Sequence, residues 1–198
     1  MTIRYAILGS GAIGGSIARR SVAAGVSVSI ANNRGPESLA DLVAELGPLA
    51  EAVTAADALS AEIVILALPF DAVPEAVRGI AWGDRIVVDA TNAIDFPAFT
   101  PRDLDGRLST DIVADAVPGA RVVKAFNTLA AELLGQDPRA EGGRRVIFLS
   151  GNDEAARQSV AAFVEKLGFS PVDLGTLAQG HAQQFGGGLA ARNFVRID

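Results

Sequence analysis

The stretch Tyr5–Arg20, "YAILGSGAIGGSIARR", decides the fold. Arg4 to Leu8 read as a strand, and Gly9, Gly11 and Gly14 follow in G-x-G-x-x-G spacing. A run with helical periodicity comes next, with Ile13 and Ile17 facing inward. Placed between a strand and a helix, each glycine has a physical task. Gly9 permits the tight turn, Gly11 lets the backbone approach a pyrophosphate, and Gly14 lets helix and strand pack closely. The helix start adds unpaired N–H groups that attract an anion. Glycines serving packing alone are the alternative; a second strand ending about twenty residues on favours the dinucleotide site.

That second strand, "VSVSI" (Val26 to Ile30), runs into Asn32, Asn33 and Arg34. Sites specific for NAD carry Asp or Glu there, which holds the ribose hydroxyls and repels a 2′-phosphate. Neutral amides remove the repulsion, and a guanidinium can pair with a phosphate dianion. NADP is therefore the expected cofactor. Arg34 is expected to grip the phosphate, and Ser38, one helical turn on, can donate a further bond; the other reading leaves Arg34 pointing into solvent.

Outward from this core, "EIVILAL" (62–68), "RIVVDA" (85–90), "RVVKAF" (121–126), "RVIFLS" (145–150) and "SPVDL" (170–174) read as further strands, with a weaker one at 51–54. Between them, "ESLADLVAEL" places Leu39, Leu42, Val43 and Leu46 on one helical stripe, bounded by Pro36 and Gly47. A second helix follows Asn152, a candidate cap, with Val160, Phe163, Val164 and Leu167 as its stripe and Gly168 as its stop. The segment 93–107, rich in Pro and Asp, reads as a long loop beside the cleft. The expected fold is α/β: a Rossmann-type doubly wound, mostly parallel sheet with a short C-terminal strand-helix-strand extension. Residues 1–198 are expected to form one domain, with 144–198 as a small C-terminal extension.

Composition narrows the chemistry. The 198 residues suffice to bury roughly 70% of the unfolded surface. Apolar residues make up 49%, but no run nears the ~20 needed to span a membrane. The net charge of −6 argues against a nucleic-acid surface, and the cluster Arg144–Arg145 reads as the wet end of a strand. Without cysteine and with a single histidine, no metal site is expected. The opening "MTIRYAILGSG" enters a strand without a basic, apolar leader, so a cytoplasmic protein is expected.

Ligands of such sheets lie outside the carboxyl ends of the strands. Leu68, Pro69 and Phe70 then form an apolar lip for ribose and nicotinamide, and Thr91 and Asn92 can hydrogen-bond the nicotinamide side, although either segment also reads as an ordinary turn. Candidate proton shuttles are few. His181 lies in a glycine-rich segment that reads as a loop. Lys124 is a base or else a strand residue with its amine in water, and Asp111 and Asp115 read as solvated charges. No catalytic side chain is assigned. Hydride exchange between nicotinamide and a second flat cofactor needs juxtaposed rings rather than a strong base. A short NADP-dependent reductase of a carbonyl or imine compound, and an NADP-sensing binding protein, are the alternatives.

The blocks "AILGSGAIGGSIA", "NNRGPESL", "VDATNAID" and "VVKAFNTLAAELL", with the tail "QQFGGGLAARN", resemble the NADP oxidoreductase, coenzyme F420-dependent family over nearly the full length. The resemblance implies NADP as cofactor, a deazaflavin (F420) or flavin-like hydride acceptor, an acceptor pocket formed by the C-terminal extension 144–198, and a homodimer. By position it puts Ser10, Gly11, Ala12 and Ile13 on the pyrophosphate and Asn33, Arg34 and Ser38 on the 2′-phosphate. Asn127, Thr128, Leu129 and Ala131 line the nicotinamide and acceptor side, where His181 is a further candidate for substrate contact. The family often has Ser at position 33 and Lys at position 38.

Overall fold

The computed structural model describes residues 3–197. In chain order it comprises β1 (Tyr5–Leu8), α1 (Ala12–Ala23), β2 (Val28–Ala31), a 3-10 turn (Pro36–Leu39) leading into α2 (Ala40–Leu46), β3 (Ala50–Ala52), α3 (Ala55–Ala58) and β4 (Ile63–Leu66). Next come α4 (Val73–Ala76), β5 (Ile86–Asp89), a hairpin of β6 (Ile94–Asp95) and β7 (Thr100–Pro101), α5 (Ser109–Ala116), β8 (Arg121–Ala125) and α6 (Ala131–Gly135). The chain ends with β9 (Arg139–Ala140), β10 (Gly143–Gly151), α7 (Glu154–Lys166), β11 (Ser170–Asp173) and β12 (Val195–Ile197).

The main sheet has the order β11-β10-β8-β5-β4-β1-β2-β3, with β9 and β12 pairing the start of β10. From β3 to β8 every pairing is parallel; β10 then runs antiparallel to β8 and parallel to β11. This is the expected Rossmann-type doubly wound sheet. Alternate residues of the short strands serve two cores, as a pleated ribbon requires. Ile7, Ile30, Ile65 and Val88 pack with Ile17 of α1 and Phe163 of α7 on one face, while Ala6, Leu8, Val64 and Val87 pack with Val73, Val113 and Trp82 on the other. Complete burial of Ile17 or Phe163 stabilises the fold by about 1.5–3 kcal/mol each.

Local chemistry explains where sequence expectation and structure part. The stripe Leu39 to Leu46 forms, but as a 3-10 turn followed by α2: Pro36 opens a tight first turn in which Ser38 N donates to Gly35 O at 3.2 Å. The cap of α7 is Asp153, whose carboxylate accepts from Ala156 N at 2.7 Å; Asn152 instead accepts from Leu177 N at 3.1 Å, tying down the tail. The segment 93–107 is not wholly loop, because it holds the β6–β7 hairpin, fastened by Arg102 to Asp95 (2.8 Å) and to Asp71. Arg145 is not at a wet strand end. It is 9% exposed, and its guanidinium donates to the Asp137 carbonyl and the Gln136 side chain. His181 lies in a 3-10 turn, Gln179–Gln183, where a loop is expected from the sequence.

Candidate functional site

The carboxyl ends of β1, β2, β4, β5 and β8 open on one edge of the sheet, and the order reverses between β1 and β4, where a crevice must form. The three glycines of the first turn differ in what holds them. Gly9 has φ 115°, and a Cβ there would collide with the Ala67 carbonyl of the β4 turn. At Gly14 a Cβ would collide with the carbonyl of Gly9. Gly11 has an ordinary φ of −73°, caps α1 without a side-chain bond, and has nothing within 4 Å of where its Cβ would stand. The protein's own packing thus demands two glycines and leaves the third open. The bare space before the free N–H groups of α1 has the shape and polarity for a diphosphate.

At the tip of β2 the two asparagines have different jobs. Asn32 is a hub: its Nδ2 donates to Ser10 Oγ (3.1 Å) and Ser38 Oγ (2.9 Å), and its Oδ1 accepts from Arg34 N (2.9 Å). An aspartate there would force both hydroxyls to turn and donate. The neutral amide thus ties the glycine turn to the start of the next helical segment. Asn33 and Arg34 are exposed, and among the described residues no carboxylate pairs with the Arg34 guanidinium. These groups border a crevice of about 560 Å³ whose opposite wall is Leu68 and Pro69, with Glu75 at the rim. Phe70 begins the turn leading into α4.

The other end of the edge is a buried polar network. Asp89 and Lys124 are register partners on β5 and β8, both 0% exposed. Lys124 Nζ donates to Asp89 Oδ2 (2.9 Å), the Thr91 carbonyl (2.7 Å) and Ser109 Oγ (3.4 Å). The remaining Asp89 lone pairs accept from Thr91 N (2.9 Å), Thr91 Oγ1 (2.7 Å) and Thr110 Oγ1 (2.9 Å). The Lys124 amine is therefore sealed in protein, not in water. Thr91 turns its hydroxyl inward to this pair. Asn92 and Asn127 clasp each other, Nδ2 of Asn92 on the Asn127 carbonyl (2.9 Å) and Nδ2 of Asn127 on Asn92 Oδ1 (3.1 Å).

Asn127 Nδ2 also donates to the Gln183 carbonyl (2.8 Å), which fixes the orientation of its amide and leaves Oδ1 buried without a partner. Such an oxygen costs about 1–3 kcal/mol until a donor reaches it. The preceding Phe126, fully buried, has φ 64°, an uncommon conformation for a bulky residue, and it swings the chain end of β8 into this arrangement. Thr128 and Leu129 are buried beneath it, and the Ala131 carbonyl accepts from Ser16 Oγ of α1 at 2.8 Å. Gln183 is completely buried; its side chain binds Ser150 Oγ (2.7 Å) and the Phe148 carbonyl (3.0 Å), locking the tail to β10. His181 is exposed and sits with Nδ1 3.2 Å from the Ala178 carbonyl. Asp115 pairs with Arg107 at 2.6 Å, and Asp111 accepts from Leu108 N at the start of α5.

Sequence reasoning missed Gln183, Phe126 and the Asp89–Lys124 pair. The pair had a signal: one acid and one base interrupt otherwise apolar strands, and buried charges occur in partnership. Gln183 and Phe126 had none.

A family model described as NADP oxidoreductase, coenzyme F420-dependent, matches residues 4–93, from β1 to just past β5. A candidate F420-dependent NADP-reductase of Arthrobacter sp. FB24 superposes with a TM-score of 0.77 at 29% identity, covering 91% of this chain and 88% of that one. Across residues 4–93 the chain is similar to the NADP oxidoreductase, coenzyme F420-dependent family. The hypothetical protein SMa0349 of Sinorhizobium meliloti shares 53% identity and a TM-score of 0.96, with 98% of this chain and 96% of that one covered. Metalloreductase STEAP3 of Rattus norvegicus is 30% identical over 177 residues, which are 88% of this chain and 34% of that protein. The chain thus spans about a third of the length of that curated relative. Among the described residues no helix is long and apolar enough to cross a membrane.

Proposed function

We propose that this chain transfers hydride between NADP(H) and a flat, flavin-like acceptor of the deazaflavin (F420) or flavin type. The observation that carries this reading is the tip of β2: the Arg34 guanidinium, which no carboxylate pairs among the described residues, lines a crevice together with Leu68 and Pro69, near a glycine with open space where its Cβ would stand. Gly9, Ser10, Gly11, Ala12 and Ile13 hold the diphosphate at the start of α1. Asn33 and Arg34 hold the 2′-phosphate, and Ser38, steadied by Asn32, completes that grip. Leu68, Pro69 and Phe70 wall the ribose, while Asn92 and the unpartnered Asn127 Oδ1 meet the carboxamide.

The bound nicotinamide supplies or accepts hydride at its C4. Thr91, Thr128, Leu129 and Ala131 support these groups from beneath, and residues 144–198, including the stretch around His181, close the acceptor side. Two features support ring-to-ring transfer over carbonyl or imine reduction: the Lys124 amine is fully engaged by Asp89, Thr91 and Ser109, and the His181 ring is exposed on its own 3-10 turn. A homodimer in the cytoplasm completes the proposal. The test is NADPH oxidation against a panel of the deazaflavin, FMN, FAD and small carbonyl compounds. Turnover with a ring acceptor supports the reading, and turnover with carbonyl compounds alone rejects it.

A further inference from the structure

The hairpin of β6 and β7 carries two phenyl rings into solvent at its tip. Phe96 is 74% exposed and Phe99 59%, and two such rings on one turn form a patch rather than a stray apolar residue. They are firmly placed. Phe96 meets Phe99 edge to face, with centroids 5.9 Å apart and planes at 65°, and Phe99 meets Phe185 of the tail in the same manner at 5.2 Å and 86°. Gly186, the next residue, lies so close to β7 that a Cβ there would collide with the Pro101 ring. Phe99 has φ 55°, which a bulky residue keeps only where its surroundings over-determine it.

The hairpin is also tied to the cleft on both sides. It leaves the carboxyl end of β5, the strand between β4 and β8, and begins two residues after Asn92. On the β4 side Arg102 binds Asp71, in the turn that follows Pro69, as well as Asp95 of the hairpin itself. On the β8 side Asn127 Nδ2 donates to the Gln183 carbonyl at 2.8 Å. Phe185 follows two residues later, no more than about 7 Å of chain away. The three rings therefore border the Asn92–Asn127 clasp, the place proposed for the nicotinamide carboxamide.

An edge-to-face contact covers one face of one ring, so a chain of such contacts at the surface leaves ring faces open. Flat conjugated rings stack on faces of this kind. The patch is small: a phenylalanine contributes about 150–250 Å² even when wholly covered, whereas a stable protein partner covers about 800 Å² on each side. Its size suits a small planar molecule better than a second copy of the chain.

We propose that Phe96 and Phe99, backed by Phe185, form the outer wall of the acceptor site, against which the flat ring of the hydride acceptor packs beside the nicotinamide. The proposal rests on the hydride-transfer reading for the identity of the ring, and on the hairpin for the place where it docks. FMN and the deazaflavin are each titrated, by ring fluorescence, into protein saturated with oxidised NADP. Phe96→Ala combined with Phe99→Asn removes both rings at exposed positions, and asparagine tolerates the left-handed backbone at position 99.

At least one of the two acceptors should bind this variant about tenfold more weakly, with NADP affinity and Tm close to those of the parent. Phe96→Tyr combined with Phe99→Tyr keeps the aromatic faces and should bind as the parent does. Unchanged ring affinity in the first variant, or a loss that the tyrosine variant shares, overturns the proposal. So does a fall in sedimenting mass, which would give the patch to a second copy of the chain. Steady-state NADPH oxidation separates the two readings. A parent that binds the ring through this wall without oxidising NADPH rejects hydride transfer and leaves the wall standing; turnover with the same acceptor KM in parent and first variant rejects the wall alone.

Discussion

Gly11→Ala separates a glycine kept for a ligand from one kept for packing. The backbone at position 11, φ −73° and ψ −166°, accepts alanine without strain, and the new methyl group would touch nothing within 4 Å. The unfolded chain loses freedom in the exchange, a gain of about 0.4–1 kcal/mol, while alanine is a poorer helix N-cap than glycine by a similar amount, so the two offset one another. For a chain of 198 residues Tm should therefore stay within about 3 °C of the parent. Gly14→Ala is the counterpart, since its methyl would strike the Gly9 carbonyl and leave neither backbone room to retreat. Overpacking of that kind costs about 3 kcal/mol, near 6 °C or more.

Ligand binding then discriminates between the roles. NADPH at a hundred times its Kd stabilises the native protein by about 2.7 kcal/mol, a rise of about 5–10 °C. In Gly11→Ala the methyl occupies the space before the N–H groups of α1, and this rise should shrink below about 2 °C. Scanning fluorimetry with and without NADPH gives all the numbers in one plate. A Gly11→Ala protein that folds like the parent yet retains the full NADPH shift would refute the assignment of this space to a diphosphate.

Arg34→Gln should raise KM for NADPH about tenfold or more while leaving KM for NADH unchanged, the loss of one charge-assisted bond to phosphate; equal changes for both coenzymes in steady-state assays exclude the role. Asn32→Asp places a carboxylate among Ser10, Ser38 and Arg34 and should move the ratio of kcat/KM values toward NADH, a shift read directly from paired rate measurements. Lys124→Met leaves the Asp89 carboxylate buried without its cation and should cost about 3–5 kcal/mol; adding Asp89→Asn should restore much of the lost Tm. Tyr5 is the single tyrosine, its ring 4.4 Å from that of Phe163, and burial pushes its phenol above the usual 10. The folded chain then holds that proton while the unfolded chain releases it, so stability falls as pH rises past 10; an ultraviolet titration with a midpoint at or below 10 contradicts this.

The sheet was legible because its code is short-range: Val/Ile runs, one glycine turn and two amphipathic stripes, each interpretable within a dozen residues. The adenine half of the site was legible for the same reason, since Gly9 to Ile13 and Asn32 to Ser38 are each contiguous. The acceptor half was not. Asn127 depends on Gln183, 56 residues later, and Ser109 depends on Gln184, 75 residues later; no local periodicity encodes such bonds. The Arg144–Arg145 pair shows the same limit. Its two side chains leave opposite faces of one strand, so one is packed against Asp137 and Gln136 while the other joins Arg139 and Arg196, arginines that the sequence scatters over 58 positions.

β10 is a shared member of two ladders, holding β8 and β11 at one end and β9 and β12 at the other. A strand used twice transmits torsion like a shaft, and the outer ribbon of β9, β10 and β12 cannot swing relative to the cleft without shearing hydrogen bonds in both ladders. The spacing between the cleft and the outer ribbon is therefore set once, at folding, by the stiffness of nine residues. Flexible insertions in the surrounding loops should leave that gauge untouched, whereas one residue added or removed within β10 would rotate the outer ribbon by half a pleat.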